Sequence, residues 1–268
     1  MCKKPINIKD TYVKCGHCIE CLIQKSQEWA FRVESEAKEH DLGVFLTLTY
    51  NDKNAIWIDS GEKTLTTLSK RDFQLFMKRI RKKNRAQIRF FCCGEYGETY
   101  GRAHYHALLF GVKKSVLEEV DEIWGKGYVK TGDVNLKSIR YVTNYMLLKD
   151  VNVQEGQEKP FVLMSRKPGL GQKYIRDNKP FHGITGSPWL QKAGEYKVQL
   201  PRYYQEKCIP EHLKEGSKKD KQERYEQFLE LKRKWSEKVN PLDPPEAIRK
   251  EKEHKELIRN LRRKKGKL

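Results

Sequence analysis

Residues 94–111 have the sequence GEYGETYGRAHYHALLFG, and this stretch decides the fold. The apolar run over residues 103–111 predicts a buried β-strand, on which side chains alternate between the two faces of a sheet. His104 and His106 therefore point to the same face, where one cation can contact both imidazoles. Glu95 stands near the end of the preceding predicted strand. Two imidazoles and one carboxylate that leave coordination positions open are more typical of a catalytic metal site than of a structural one.

The histidine strand belongs to a regular succession of elements. Strands are predicted at residues 44–50, 87–94, 103–111 and 127–134, and helices at 19–40, 69–85, 115–124 and 138–149. After the leading helix, this order is the ferredoxin-like β-α-β-β-α-β pattern of α+β proteins, followed by one more helix. Such a sheet is antiparallel and has its first and third strands in the centre. The histidine strand would then lie beside the strand that carries Thr47 and Thr49. Residues 51–67 are predicted to form a polar loop.

The composition divides the chain into four parts. Residues 1–41 are a cysteine-rich element with its leading helix, and residues 42–150 hold the predicted sheet. Residues 151–209 are expected to be irregular and packed on this core, because they include a long stretch rich in Gly, Pro and Lys. Residues 210–268 are charged and helical in pattern with a basic end. They are expected to form an extension that is either a solvated helix pair or a DNA contact.

The charge of the chain favours a polyanionic partner. Its 268 residues include 55 Lys and Arg against 36 Asp and Glu, which gives a net charge of +19. Such an excess is typical of proteins that bind nucleic acid, and an acidic membrane surface is the second candidate. No apolar run approaches the roughly 20 residues that a membrane span needs, and the N-terminus lacks the apolar segment of a signal peptide. An intracellular protein without a membrane partner is therefore expected.

A second group of metal-binding residue types lies at the N-terminus. Four of the seven cysteines fall within the first 21 residues: Cys2, Cys15, Cys18 and Cys21. A Cys-x2-Cys-x2-Cys run is expected by chance only about 0.005 times in such a chain, so the spacing is specific. With Cys2 or His17 as the fourth ligand it predicts a structural zinc site. The alternatives are part of an iron–sulfur run, although no fourth Cys-Pro follows, and a set of free thiols.

Two tyrosines near residue 145 are candidate nucleophiles. Tyr141 and Tyr145 lie in a predicted helix, where a spacing of four places both phenols on one face. Core packing is the commoner role of aromatic residues at this spacing. The alternative is that a phenol attacks a phosphodiester and holds the product as a phosphotyrosine ester, which splits one difficult reaction into two easier ones.

These features together resemble one family, the rolling-circle replication initiators of small single-stranded DNA bacteriophages, the microviruses, and most closely their gokushovirus branch. They belong to the histidine-hydrophobe-histidine endonucleases. Residues 45–50, FLTLTY, are similar to the first motif of the family, residues 95–106 to its metal motif, and the helix with Tyr141 and Tyr145 to its nucleophile motif. Segments similar to the phage branch are the leading cysteines with Gln27-Glu28-Trp29, MSRKPGLG at 164–171 and LPRYY at 200–204.

The resemblance implies a mechanism. Glu95, His104 and His106 would hold magnesium or manganese, and residues 42–150 would be the endonuclease core. Tyr141 or Tyr145 would attack the origin, join the protein to the 5′ phosphate and leave a 3′ hydroxyl for extension. The second tyrosine would cut the regenerated origin and help to reseal the circle. The implied partners are single-stranded DNA, the double-stranded replicative-form origin, and the host helicase and DNA polymerase, all in the host cell cytoplasm.

The chain departs from the family pattern at three positions. Asn144 stands where the family usually has a lysine before the second tyrosine, and Ala103 stands where a proline is usual. The next lysine is Lys149, one position later than the pattern, and it is the candidate for the third catalytic residue.

Several residues near these motifs are candidates for DNA binding. Thr47, Thr49 and Arg102 are the first choice because the predicted sheet brings them beside the histidines. Tyr50 and Arg89 are further candidates for stacking on unpaired bases, as is Arg102.

Two other functions compete with replication initiation. A transposase or plasmid relaxase of the same nuclease superfamily would share the metal and the tyrosine chemistry, although paired tyrosines favour an initiator over single-tyrosine transposases. A non-catalytic, zinc-stabilised nucleic-acid-binding protein would use its histidines structurally.

Overall fold

The computed structural model describes residues 2–59, 64–97, 100–145, 153–190 and 198–236. Its strands are β1 (Ile6–Ile8), β2 (Thr11–Val13), β3 (Gly43–Tyr50), β4 (Ile56–Asp59), β5 (Thr64–Thr67), β6 (Arg89–Tyr96), β7 (Ala103–Phe110), β8 (Gly127–Asp133), β9 (Phe161–Met164), β10 (Trp189–Leu190) and β11 (Val198–Gln199). Its helices are α1 (Ile19–Ala37), α2 (Lys70–Asn84), α3 (Lys114–Leu117), α4 (Val120–Trp124), α5 (Leu136–Asn144), α6 (Gln172–Thr185), α7 (Arg202–Cys208) and α8 (Glu211–Ser236). Among the described helices, none combines the length and the apolar character that a membrane crossing requires.

Five strands form one antiparallel sheet in the order β8-β3-β7-β6-β9. The histidine strand β7 lies between β3 and β6, as the sequence predicts, and the α+β class with an antiparallel sheet flanked by helices is confirmed. The ferredoxin-like name stays a prediction, because β9 adds a fifth strand along the edge of β6. The other described strands form three separate pairs, β1-β2, β4-β5 and β10-β11.

The alternation of side chains along the strands creates a buried core on each face of the sheet. On the first face, α2, α3 and α4 contribute buried side chains that include Phe73, Phe76, Val116 and Trp124. On the second face, α1 and α5 contribute Val33, Ile139 and Val142. Burial of each such side chain stabilises the fold by about 1.5–3 kcal/mol. The sheet is therefore held between two helical layers, and His104 and His106 point to the second face, where Leu108 and Phe110 of the same strand are also buried.

Three local predictions are corrected by the structure. Residues 51–67 contain the hairpin of β4 and β5 rather than a loop, since Thr and Ile favour strands. The segment predicted as irregular over 151–209 contains β9 and the 14-residue helix α6, because the apolar run 161–164 pairs with the open edge of β6. The helix predicted at 115–124 is two short helices, and Asn84 accepts a hydrogen bond from the backbone of Lys113 where the first begins.

A buried ion pair joins α1 to the sheet and to the chain near residue 170. Glu36 accepts hydrogen bonds from Nε of Arg89 at 2.8 Å and from the backbone N–H of Gly171 at 2.7 Å. Although burial alone raises the pKa of Glu36, these two bonds lower it, so that its carboxylate stays charged. Both side chains are nearly inaccessible, at 5–6% exposure.

We expect the Glu36→Ala variant to lose about 3–5 kcal/mol of unfolding free energy, because Arg89 is left as a buried charge without its carboxylate. Urea unfolding measures this loss. The control is Glu34→Ala, which removes the exposed ion pair with Lys38 and should cost less than about 0.5 kcal/mol. Equal losses in the two variants would show that the buried pair contributes no more than a surface pair.

Candidate metal and nucleophile site

The strand register brings the predicted metal ligands together. Glu95 of β6 lies directly opposite His104 of β7, and Thr49 and Thr47 of β3 lie opposite His104 and His106. Directly paired residues of antiparallel strands point to the same face. All five side chains therefore project to the second face of the sheet, under α1 and α5.

The carboxylate of Glu95 stands between the two imidazoles. Its Oε1 atom lies 3.1 Å from Nε2 of His104 and 3.0 Å from Nε2 of His106. The three possible ligand atoms all lie within 4.8 Å of one another. Glu95 and His104 are partly exposed at 13% and 15%, whereas His106 is buried. The cluster is thus open on one side and enclosed on the other.

The other nitrogen of each imidazole is held by an oxygen. Nδ1 of His104 donates to the carbonyl of Arg102 at 3.0 Å, and Nδ1 of His106 lies 3.0 Å from Oγ1 of Thr47, which can accept its proton. In the neutral imidazoles this leaves both Nε2 lone pairs facing the carboxylate of Glu95. Three converging acceptors repel one another unless a cation lies among them, and second-layer contacts of this kind are typical of metal-binding histidines. The donor set therefore fits a divalent ion.

The two tyrosines of α5 reach this cluster in sequence. The hydroxyl of Tyr141 lies 3.1 Å from Nε2 of His106, and the hydroxyl of Tyr145 donates to that of Tyr141 at 2.8 Å. Tyr145 is buried, and its ring stacks on His106 with 5.5 Å between centroids. Burial, and then the negative charge of Glu95, raise the pKa of Tyr145 well above its ordinary range. Tyr141 is partly exposed, so it is the more accessible phenol.

Two of the positions that depart from the family pattern have different outcomes. Asn144 accepts a hydrogen bond from the hydroxyl of Ser26 at 2.9 Å and so ties α5 to α1. Its place near the tyrosines is therefore occupied by a structural contact rather than by a cation. Lys149, the candidate third catalytic residue, lies outside the described residues.

The candidate DNA contacts separate into exposed and buried side chains. Thr47 and Thr49 are partly exposed beside the histidines, and Arg102 is exposed but donates to Asp52 at 2.6 Å. The predictions for Tyr50 and Arg89 are wrong. Both side chains are buried, where they hydrogen-bond inside the protein, and neither can stack on a base.

The N-terminal cysteines form a second cluster. The four sulfur atoms of Cys2, Cys15, Cys18 and Cys21 lie within 4.8 Å of one another. Although burial alone raises it, backbone hydrogen bonds from Cys18 and His17 lower the pKa of the Cys15 thiol to about 6, which favours the thiolate that binds metal. His17 is not part of the cluster of ligand atoms in the described residues. The sulfur atoms therefore suit a tetrahedral ion.

Sequence patterns did not reveal the residues that support the two clusters. The carbonyl of Arg102 and the Ser26–Asn144 bond have no motif, since any residue type supplies a carbonyl and only the fold brings two distant polar side chains together. Tyr225 of α8 packs against Cys2 and Cys21, and Gln222 of α8 accepts from the backbone of Tyr12. The cysteine cluster is thus covered by a helix more than 200 residues later in the chain.

Comparisons with known proteins point to phage replication. Residues 43–150 match the family model of the replication-associated protein ORF2. The chain is 30% identical over 223 residues to the replication-associated protein VP4 of Bdellovibrio phage phiMH2K, with 72% of this chain and 66% of that protein covered. For the replication-associated protein ORF2 of Spiroplasma virus 4 the identity is 24% over 215 residues, with the same 72% and 66% covered. For the replication-associated protein ORF4 of Chlamydia phage 1 it is 28% over 160 residues, with 51% and 38% covered. The chain thus spans 66% or less of the length of these relatives.

Proposed function

Since this chain belongs to the replication-associated proteins of the microviruses, we propose that it cuts one DNA strand at the replication origin of a circular phage genome and stays joined to that strand through a tyrosine. The observation that carries this proposal is the 3.1 Å contact between the phenol of Tyr141 and Nε2 of His106, in the same cluster as Glu95 and His104. A nucleophile and a set of divalent-metal ligands lie within reach of one phosphate group.

Glu95, His104 and His106 are the residues that would hold the ion. A magnesium or manganese ion bound there would polarise the scissile phosphate and offset the charge that develops on its oxygens. Imidazole nitrogens and a carboxylate suit manganese well, and magnesium is tolerated. Thr47 and the carbonyl of Arg102 keep the Nε2 lone pairs directed to the side where Glu95 lies.

Tyr141 performs the first attack. Its phenol oxygen forms a bond to phosphorus, the bond from phosphorus to the 3′ oxygen breaks, and the proton lost by the phenol is balanced by the proton gained at the 3′ hydroxyl. The energy of the broken ester is kept in the phosphotyrosine, so no nucleotide cofactor is needed. The free 3′ hydroxyl can then be extended by the host polymerase.

Tyr145 performs the second attack, which ends the round. It is held by its hydrogen bond to Tyr141, and this bond is lost once Tyr141 is esterified. The released phenol can then cut the regenerated origin while the 3′ hydroxyl reseals the circle. Lys149 is the candidate cation for this step.

The partners follow from this activity and from the charge. The net charge of +19 suits binding to DNA phosphates, which weakens steeply as salt rises. We propose single-stranded DNA and the double-stranded replicative-form origin as substrates, with Thr47, Thr49 and Arg102 among the contacts. The host helicase and polymerase would supply strand separation and synthesis in the host cell cytoplasm.

The test is formation of a covalent adduct. The purified protein is incubated with a labelled single strand that carries the origin, with manganese, and separated on a denaturing gel. Wild-type protein is expected to give a band in which label and protein migrate together. The Tyr141→Phe, Tyr145→Phe double variant should still bind the strand but give no such band, and an adduct in that variant would remove both tyrosines from the mechanism.

The same experiment separates the competing functions. A non-catalytic, zinc-stabilised DNA-binding protein would bind the strand but release no 3′ product. A transposase or relaxase of the same superfamily would also form the adduct, but the names of the three relatives favour replication. Cutting of phage origin DNA in preference to transposon ends would decide between these two.

The cysteine cluster is proposed to hold a structural zinc ion. Four sulfur ligands at tetrahedral distances close the coordination sphere, which is typical of structural rather than catalytic zinc. The ion would join the N-terminal element to α8 through Tyr225, which packs on Cys2 and Cys21.

We expect purified protein to contain about one equivalent of zinc and the Cys18→Ser variant to contain much less, because three sulfur ligands hold the ion weakly. Elemental analysis by mass spectrometry measures the metal. Cys208→Ser is the control, since Cys208 is buried in a different cluster with Leu200 and Tyr204 and should leave the zinc content unchanged. Iron with visible absorption in the wild type would instead support the iron–sulfur alternative.

A further inference from the structure

One row of side chains crosses the sheet at the metal-binding cluster. The pairing of β8 with β3 and of β3 with β7 places Tyr128 opposite Thr49, and Thr49 opposite His104, whose other neighbour is Glu95. Because paired residues share a face, the ring of Tyr128 starts from the same face as the candidate metal ligands. The next row on this face contains Lys130, Thr47 and His106.

The β8 end of these rows is open to solvent. Tyr128 is 72% exposed, and Lys130 is also exposed. Lys130 has no ion-pair partner among the residues that the structure describes. The neighbouring Val129 points to the opposite face and packs on the core there, so β8 offers only its aromatic ring and its cation on the metal-site face. An exposed ring beside an unpaired cation matches a base beside its phosphate.

We propose that Tyr128 and Lys130 hold the single strand next to the scissile phosphate, with Tyr128 stacking on a base and Lys130 contacting the backbone. This inference rests on the proposed function and names the path by which the substrate approaches that site. Thr49 and Thr47 lie between β8 and the histidines, so they form the middle of the path.

The distance limits which nucleotides are held. β8 and β7 are separated by one strand, which places Tyr128 about 10 Å from the row position of His104 at the usual spacing of about 4.8 Å between strands. Nucleotides of one strand advance by at least about 3.4 Å each. The base on Tyr128 therefore lies within about three nucleotides of the cut.

The experiment measures binding without cutting. A fluorescent single-stranded oligonucleotide with the origin sequence is titrated in EDTA, so that the result does not depend on the nuclease activity. Tyr128→Ala is expected to weaken binding roughly tenfold or more, and Tyr128→Trp to bind as wild type, because any aromatic face can stack. Lys130→Ala should lower the salt dependence by about one charge, whereas Lys82→Ala, a cation of α2 on the opposite face, should not.

A second substitution tests a rival surface. Trp57, Tyr100 and Arg102 line a cleft at the turn before β7, and Tyr100 is 84% exposed. If Tyr100→Ala weakens binding and Tyr128→Ala does not, the strand lies in that cleft and the proposed path is wrong. Wild-type binding in both Tyr128→Ala and Lys130→Ala would also overturn it.

A crosslink then fixes the position on the strand. With 5-iododeoxyuridine at successive positions, irradiation is expected to join Tyr128 only to positions within about three nucleotides of the cut, by the spacing above. Crosslinks at distant positions alone would overturn the proposal. If wild-type protein makes no adduct with manganese but Tyr128→Ala still weakens binding, the proposed cutting fails while this DNA-binding path stands.

Discussion

The Tyr141→Phe substitution is expected to lower the rate of the first cut at least about 10³-fold, because it removes the nucleophile and no other phenol has direct access to the metal ligands. Tyr141 is the phenol that contacts His106, whereas Tyr145 reaches the cluster only through the hydroxyl of Tyr141. The measurement is single-turnover release of a labelled 3′ product from an origin strand in manganese.

Tyr145→Phe is the matched control for this substitution, since it removes the same atom one turn later on the same helix. It deletes only a hydrogen bond to Tyr141, which is worth about 1 kcal/mol, so the first cut should slow less than about tenfold. Joining of a second strand should be lost instead. If Tyr145→Phe abolishes the first cut and Tyr141→Phe does not, the order of attack proposed above is reversed.

This pair of tyrosines illustrates how far a sequence can determine a site. A spacing of four places both phenols on one helical face, and the structure has both rings against His106. The spacing alone does not say which turn of the helix meets the cluster, because that depends on how α5 packs on α1. The contact of Asn144 with Ser26 is part of that packing and has no counterpart in the motif.

The sheet was more predictable than its surroundings. Alternation along β7 and the hairpin with β6 were sufficient to place Glu95, His104 and His106 on one face, since a strand has a fixed period of two. The fifth strand β9 was not found because its four residues are too short to show a period, and only an open sheet edge gives them a partner. The exposed position of Tyr128 follows from register, which the sequence of β8 does not fix by itself.

The same register underlies the largest expected effect of a metal ligand. His106→Ala is expected to abolish cutting within the limit of the assay, at least about 10³-fold, because it removes one of three ligands. Binding of the strand in EDTA should change little, since the buried imidazole is not a phosphate contact. Manganese affinity, measured by calorimetry, should fall with the cutting rate. Full cutting by His106→Ala would exclude the cluster from the mechanism.

Thr47→Val separates loss of the metal from loss of the fold. This substitution keeps the shape of the side chain but removes the oxygen that lies 3.0 Å from Nδ1 of His106. Loss of such a second-layer contact typically costs 10- to 100-fold in metal affinity or activity. Cutting by Thr47→Val should therefore be weak at low manganese and recover as manganese is raised, whereas His106→Ala should not recover at any concentration. Because both variants alter the same face of the sheet, recovery in one alone would assign the defect to the ion rather than to misfolding, and recovery in both or in neither would argue against an orienting role for Thr47.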